Sequence, residues 1–285
     1  MEENSLSQTV LKLLQTRKGH SRQDKATVVA AVGGGGKTAV LYLLAEAFAR
    51  KGRRVCFTTT THIYDPRTEE EARGFDRVVI LPELAAAPRR ASPMPAESAP
   101  KQGSITILAS EDAIPDSSVH QSEKSHRVLL KLGGIHPDWI AVLQEYWDVI
   151  LVEADGSKHL PIKAPAEHEP VIPPVSDMVL GCIGLDCLGK PMDEGWVHRP
   201  QLFSLITGCG AGEPIEDRHF INLVLYSQGL FKASPPGAQR VLLLNKADLL
   251  LDGALRELEA DFGFLRSGGG VEVLLGSAKR DFVYM

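Results

Sequence analysis

Two kinds of hydrophobic pattern alternate along the chain. Short unbroken apolar runs occur at ATVVAAV (26–32), RRVCFTTTT (53–61), RVVIL (77–81), SITIL (104–108), DVILVEADGS (148–157), DMVLGCIGL (177–185), RVLLLNKADLL (240–250) and VEVLLGSAK (271–279), the last closing the chain. Runs of this length and uniformity predict strands covered on both faces. Between them, apolar residues recur at helical spacing. Residues 4–16, with Leu6, Val10, Leu11, Leu13 and Leu14, predict an amphipathic helix that packs on the main body. TAVLYLLAEAFARKG (38–52) predicts a helix stopped by Gly52, and HPDWIAVLQEYW (136–147) one with Asp138 early in its first turn. Strands alternating with helices imply an α/β fold, a mostly parallel sheet flanked by helices.

From Pro82 to Gly103 the composition shifts to Pro, Ala, Ser and Arg, which cannot build a core. No internal repeat is present. The expected organisation is an N-terminal amphipathic helix and linker at 1–25, then one domain at 26–285 carrying a flexible Pro/Ala-rich insertion at about 82–103. With 285 residues, 44% of them hydrophobic, the chain has enough apolar surface for a full core. A formal net charge of −5 supplies no broad footprint for nucleic acid or anionic membrane, so neither is an expected partner. The N-terminus lacks the basic start of a signal peptide, and no stretch approaches the roughly 20 apolar residues of a spanning helix. Four scattered cysteines suit a reducing compartment, and a cytoplasmic location is expected.

In VVAAVGGGGKTAVLYLL a buried strand runs into Gly33, Gly34, Gly35 and Gly36, then Lys37 and Thr38, then a helix. That context marks a phosphate loop, and with it a P-loop NTPase-like three-layer architecture. Glycines let backbone N–H groups approach phosphate, and the helix N-terminus favours negative charge. Lys37 is expected to reach the β- and γ-phosphates of a nucleoside triphosphate, and the Thr38 hydroxyl to coordinate Mg²⁺. A tight turn with a solvated lysine is the plainer alternative. The match lacks the leading glycine of G-x-x-x-x-G-K-[ST], which falls on Ala31. The first lysine of the related K-G-G-x-G-K-T loops falls on Val32, so no lysine donated across a dimer is expected.

A phosphate loop needs a carboxylate on a neighbouring strand for the Mg²⁺ shell or the attacking water. Glu153 and Asp155 supply two at one strand end. Both are candidates for the metal shell, and with Lys37 they form the expected catalytic set. A solvated strand end would read the same. Thr58 to Thr61 follow the second strand, where Thr59 and Thr60 are candidates for a switch touching the γ-phosphate, although threonine also simply favours strands.

Asn245, Lys246 and Asp248 form an N-K-x-D set resembling the guanine-recognition loop of GTPases, and Ser277, Ala278 and Lys279 resemble its supporting S-A-K loop. Together, in this order and at strand ends, they favour GTP over ATP. Asp248 could equally open a helix. The stiff polar loop 156–177 carries Lys158, His159, Lys163, Glu167, His168 and Glu169. Lys163, His168 and Glu169, with His198 and Arg199, are candidates for an acceptor or effector site, and His168 for proton transfer or metal binding. An ordinary surface loop is the alternative. Cys182 and Cys187 are spaced for core packing rather than for zinc.

VGGGGKT, FTTTTHIYDP, VEADGSKHLPIKAPAEHEPVIP, GLDCLGKP and VHRPQLF together resemble the YqeC family, accessory proteins of selenium-dependent molybdenum hydroxylases. The resemblance runs from about Thr27 over nearly the whole chain. It implies a nucleotide-dependent role in making or inserting the selenium-containing cofactor, with such a hydroxylase or its maturation proteins as partners. The leading expectation is therefore an Mg²⁺-dependent NTP-hydrolysing maturation factor. A small-molecule kinase and a nucleotide-binding module without turnover are the alternatives.

Overall fold

The computed structural model describes residues 5–18, 25–68, 74–88, 100–115, 130–268 and 270–284. In the first half the elements are α1 (Leu6–Lys18), β1 (Thr27–Gly33), α2 (Lys37–Arg50), β2 (Val55–Thr59), β3 (His62–Tyr64), β4 (Arg77–Ile80), β5 (Ile105–Ala109), β6 (Glu111–Pro115), β7 (Leu130–Gly133) and α3 (Trp139–Leu143). The second half contributes β8 (Val149–Glu153), β9 (Ile162–Lys163), β10 (Met178–Gly184), β11 (Val197–His198), α4 (Pro200–Thr207), α5 (Asp217–Leu225), β12 (Gln239–Asn245), α6 (Asp252–Ser267), β13 (Val271–Ser277) and β14 (Phe282–Tyr284).

The unbroken apolar runs become one nine-stranded sheet in the order β14-β13-β12-β10-β1-β8-β2-β5-β4. All its pairings are parallel except β13 with β14. Side chains alternate across a strand, and the core divides accordingly. Val29, Ala31, Leu151, Leu180 and Leu243 pack with Val40, Leu41 and Leu44 of α2 and with Leu6 and Val10 of α1. Val28, Ala30, Val32, Val152 and Leu244 face Ile140 of α3, Phe203 of α4, Phe220 of α5 and Phe262 of α6. The result is an α/β three-layer architecture with β1, β8 and β10 buried along their whole length.

Several details differ from the sequence pattern. The helix expected over 136–147 is regular only over Trp139–Leu143, after which the chain turns to bury Trp147 and enter β8. The chain does not close on β13, because β14 returns antiparallel along it. The start of the Pro-rich stretch contributes to the core: Pro82–Ala85 form a 3₁₀ turn that buries Leu84. Residues 89–99 of that stretch, and the linker at 19–24, lie outside the described residues. Two small additions were not legible in the pattern: the antiparallel sheet β3-β7-β6 and the two-stranded pair β11-β9. Both stand beside the glycine loop.

Candidate functional site

The central strand β1 is flanked by β8 and β10, and the chain leaves β1 at Gly33 into the glycine turn. In parallel sheets ligands bind beyond such carboxyl ends. Ala31 is still a strand residue, in register with Glu153 and Leu180, so the turn starts later than a full-length phosphate loop would. Gly33, Gly35 and Gly36 have left-handed backbones, at φ +93°, +67° and +114°. At Gly35 space adds to conformation, since a Cβ there would lie 2.1 Å from the Gly184 nitrogen. The turn holds itself in shape. Gly33 N–H donates to Asp155 Oδ2 (3.0 Å), Gly34 N–H to the Cys182 carbonyl (2.9 Å) and Gly35 N–H to the Leu160 carbonyl (3.1 Å). The amides of Lys37, Thr38 and Ala39, opening α2, have no intrahelical acceptor.

Lys37 lies under the turn, 3% exposed. Its ammonium donates to the Gly33 carbonyl (2.7 Å) and sits 3.2 Å from Asp155 and 3.9 Å from Glu153. Burial opposes its charge, but the two carboxylates outweigh burial and raise its pKa. The carboxylates then part ways. Glu153 lines the cavity and accepts a hydrogen bond from the Thr38 hydroxyl at 2.7 Å. Asp155 is 1% exposed and faces inward, toward Lys163 (3.1 Å) as well as Lys37. From Lys163 the ion pairs continue to Glu169 (2.7 Å) and from there to Arg199 (2.6 Å). A continuous line of alternating charges thus joins the glycine turn to β11 and the start of α4.

A cavity of about 950 Å³ opens above this line. Its wall is formed by Gly35, Gly36, Lys37, Thr38 and Lys246 together with Tyr64, Lys131, Lys158, His159, His198 and Arg199, and by Glu153 and Glu169. Tyr64 and His159 stack at 4.8 Å, and Lys131 lies over the Tyr64 ring at 5.1 Å. His198 is pushed down to about 4 by burial and by the nearby charges of Arg199, Lys163 and Lys158. For Glu169 burial acts to raise the pKa, yet hydrogen bonds from Arg199 and Lys163 outweigh it and hold the carboxyl at about 2.

Mg²⁺ takes hard oxygen ligands and keeps several waters, so it needs few protein groups. Thr38 Oγ1 and Glu153 Oε2, adjacent on the cavity wall, fit that requirement. Asp155, already engaged by Gly33 and Lys163, is turned away from it. Among the described residues no group of three or more His, Cys, Asp or Glu side chains is arranged to hold a metal.

Other expected residues lie elsewhere. Thr59 and Thr60 spend their hydroxyls on the carbonyls of Glu153 (2.8 Å) and Val171 (2.8 Å), and it is Thr61 that lines the cavity. Lys163 is buried beneath the wall, and His168 is exposed away from it. Of the two loops resembling a guanine site, only Lys246 lines the cavity. Asn245 is a tie: Nδ2 donates to the Gly35 carbonyl (2.7 Å), while Oδ1 accepts from the Ala278 N–H (2.9 Å), joining the glycine turn to Ser277-Ala278-Lys279. Ser277 is buried, Lys279 is exposed, and Asp248 pairs with Arg280 at 3.3 Å. The four cysteines are buried, and burial raises every thiol, Cys182 to about 12. They therefore stay protonated and unreactive. Tyr64, which lies within the FTTTTHIYDP stretch, and Lys131 were not among the expected site residues; the pairing of β3 with β7 brings both to the cavity.

This chain is similar to known proteins. A family model described as YqeC protein matches residues 29–201. A relative from Escherichia coli (strain K12), "Uncharacterized protein YqeC", is 35% identical over 226 residues, covering 79% of this chain and 77% of the relative. The matched region contains the glycine turn, both strand-end carboxylates and Arg199.

Proposed function

Since this chain belongs to the YqeC family, we propose that its glycine turn binds a magnesium-complexed nucleoside triphosphate, GTP in preference to ATP, and that the protein hydrolyses it. The cycle serves the maturation of a selenium-dependent molybdenum hydroxylase, the role that the family resemblance implies. One observation carries the reading: Lys37 is held beneath a left-handed glycine turn by Asp155 and Glu153, with Thr38 on the Glu153 carboxylate. An ammonium kept charged at the mouth of a helix offsets phosphate charge.

In this mechanism Lys37 and the first amides of α2 receive the β- and γ-phosphates. Asp155 keeps Lys37 charged and aimed. Thr38 and Glu153 hold Mg²⁺, which when bound neutralises phosphate oxygens. Glu153, the carboxylate on the cavity side, also orients the attacking water. The base lies toward Lys246. The Asp248–Arg280 pair is weak support for keeping that carboxylate occupied, since Arg280 is 69% exposed and such pairs gain little in water. In this reading Asp248, whose side chain is 14% exposed and lies outside the cavity wall, exchanges Arg280 for guanine N1–H and its amine when the nucleotide binds.

A second reading is favoured by the cavity itself, whose wall includes Tyr64 and Arg199 as well as the glycine turn. A small molecule there would receive the phosphoryl group in place of water. Calorimetry with Mg·GTP and Mg·ATP, followed by single turnover with γ-labelled nucleotide, tests both readings. Released phosphate supports hydrolysis, a labelled small molecule supports transfer, and binding without either leaves a nucleotide-binding module. Unchanged affinity and turnover in Lys37→Ala would remove all three.

A further inference from the structure

We propose that the cavity holds a second binding site beside the glycine turn, built from Lys158, His198 and Arg199 to take the oxyanion group of a small molecule. It rests on the nucleotide reading for its role, the anion being the ligand that shares the cavity with the triphosphate.

Three observations carry the assignment. The first is spare donor capacity. Arg199 borders the cavity with its side chain 24% exposed, and its contacts to Glu169 (2.6 Å) and the Ala164 carbonyl (3.3 Å) use Nη1 alone. A guanidinium has five N–H donors in a fixed fork, so Nε and Nη2 remain for a bidentate oxyanion. The second is the balance of charge. Glu169 is already shared by Lys163 and Arg199, whereas Lys158 borders the cavity with no ion-pair partner among the described residues. An anion entering here meets Lys158 and Arg199 beside the imidazole of His198, which burial first and then the charges of Arg199, Lys163 and Lys158 hold neutral and able to donate one hydrogen bond. The third is the backbone. Lys158, His159, Arg199 and Lys246, four of the six non-glycine residues with positive φ among the described residues, all line this cavity. Such conformations persist where surrounding structure imposes them, and they cluster at ligand sites.

The test follows the His198 imidazole by NMR at pH 7 in the full-length protein labelled at histidine, assigned with His198→Gln. Inorganic phosphate and malonate are titrated separately into wild type, Lys37→Ala, Lys158→Ala and Arg199→Lys. The expected result is a saturable His198 shift with at least one anion, persisting in Lys37→Ala and weakened tenfold or more in Lys158→Ala or Arg199→Lys. Response to phosphate alone assigns a phosphoryl ligand, to malonate alone a carboxylate, to both an oxyanion of either kind. Lys158 is exposed and Arg199→Lys keeps the charge, so one variant remains folded for the comparison. No saturable shift with either anion, or a shift undiminished in both variants, overturns the proposal. A His198 response without any GTP or ATP binding would remove the nucleotide reading and leave this site standing. Nucleotide binding beside a silent His198 would do the reverse.

Discussion

Lys163 is 1% exposed, yet its ammonium touches Asp155, Glu169 and the Gly156 carbonyl. Taking one partner from a buried ionic line leaves the others uncompensated, at a cost of about 3–5 kcal/mol. Lys163→Met is accordingly expected to lower unfolding free energy by about that amount in urea titrations, and to weaken Lys37-dependent binding through Asp155. The same line sets a pH dependence. Glu169, held at about 2 from an ordinary 4.5, contributes stability above pH 4.5 that is lost as pH falls toward 2. His198, at about 4 rather than 6.5, takes up its proton more readily in the unfolded chain, so it costs stability as pH falls from 6.5 to 4. Both signs agree. The melting temperature should fall steadily on acidification below pH 6.5, and His198→Gln should flatten the upper part of that fall. Neither buried partner could be assigned from spacing, because the pairs 155–163 and 169–199 are made by loops meeting in space.

At the scale of elements, the glycine turn and the two loops at Asn245 and Ala278 behave as one unit through Asn245. Its side chain satisfies the Gly35 carbonyl and the Ala278 N–H, both buried. Asn245→Ala leaves both without their partner, for which about 1–3 kcal/mol is the expected loss, together with weaker nucleotide binding by calorimetry. Gly35→Ala should be harsher, because both the φ of +67° and the 2.1 Å approach to Gly184 oppose a side chain. Gly156→Ala is the matched control. No atom lies within 4 Å of a Cβ at Gly156, and its stability should change by less than about 0.5 kcal/mol. The order strand, turn, helix was readable at 26–52 because the pattern is local. The small sheet β3-β7-β6 was not, since its strands come from three separate stretches and only the cavity wall makes sense of them.

Across the whole molecule, the N-terminal helix is part of the outer layer. Leu6 and Val10 are fully buried, and Ser5 and Ser7 donate to the Asp281 carboxylate beside β14, at 2.8 and 2.9 Å, clasping the two ends of the chain together. Leu6→Ala is expected to cost about 2–5 kcal/mol in equilibrium unfolding, the range for a cavity in a packed core. A negligible change would mean that α1 is held only loosely on the sheet. No helix among the described residues is long and apolar enough to cross a membrane.

By itself the sequence determined the α/β class, the order of the long strands, the glycine turn and the pair of strand-end carboxylates. Each of these is written in neighbouring residues, where hydrophobic period and the freedom of glycine act directly. Only the tertiary structure decided that Glu153 faces the cavity while Asp155 turns inward, that Asn245 is a brace, and that Lys158, His198 and Arg199 converge. Those outcomes depend on which loops the parallel sheet brings to one edge, and on buried charges having to find partners wherever the chain provides them.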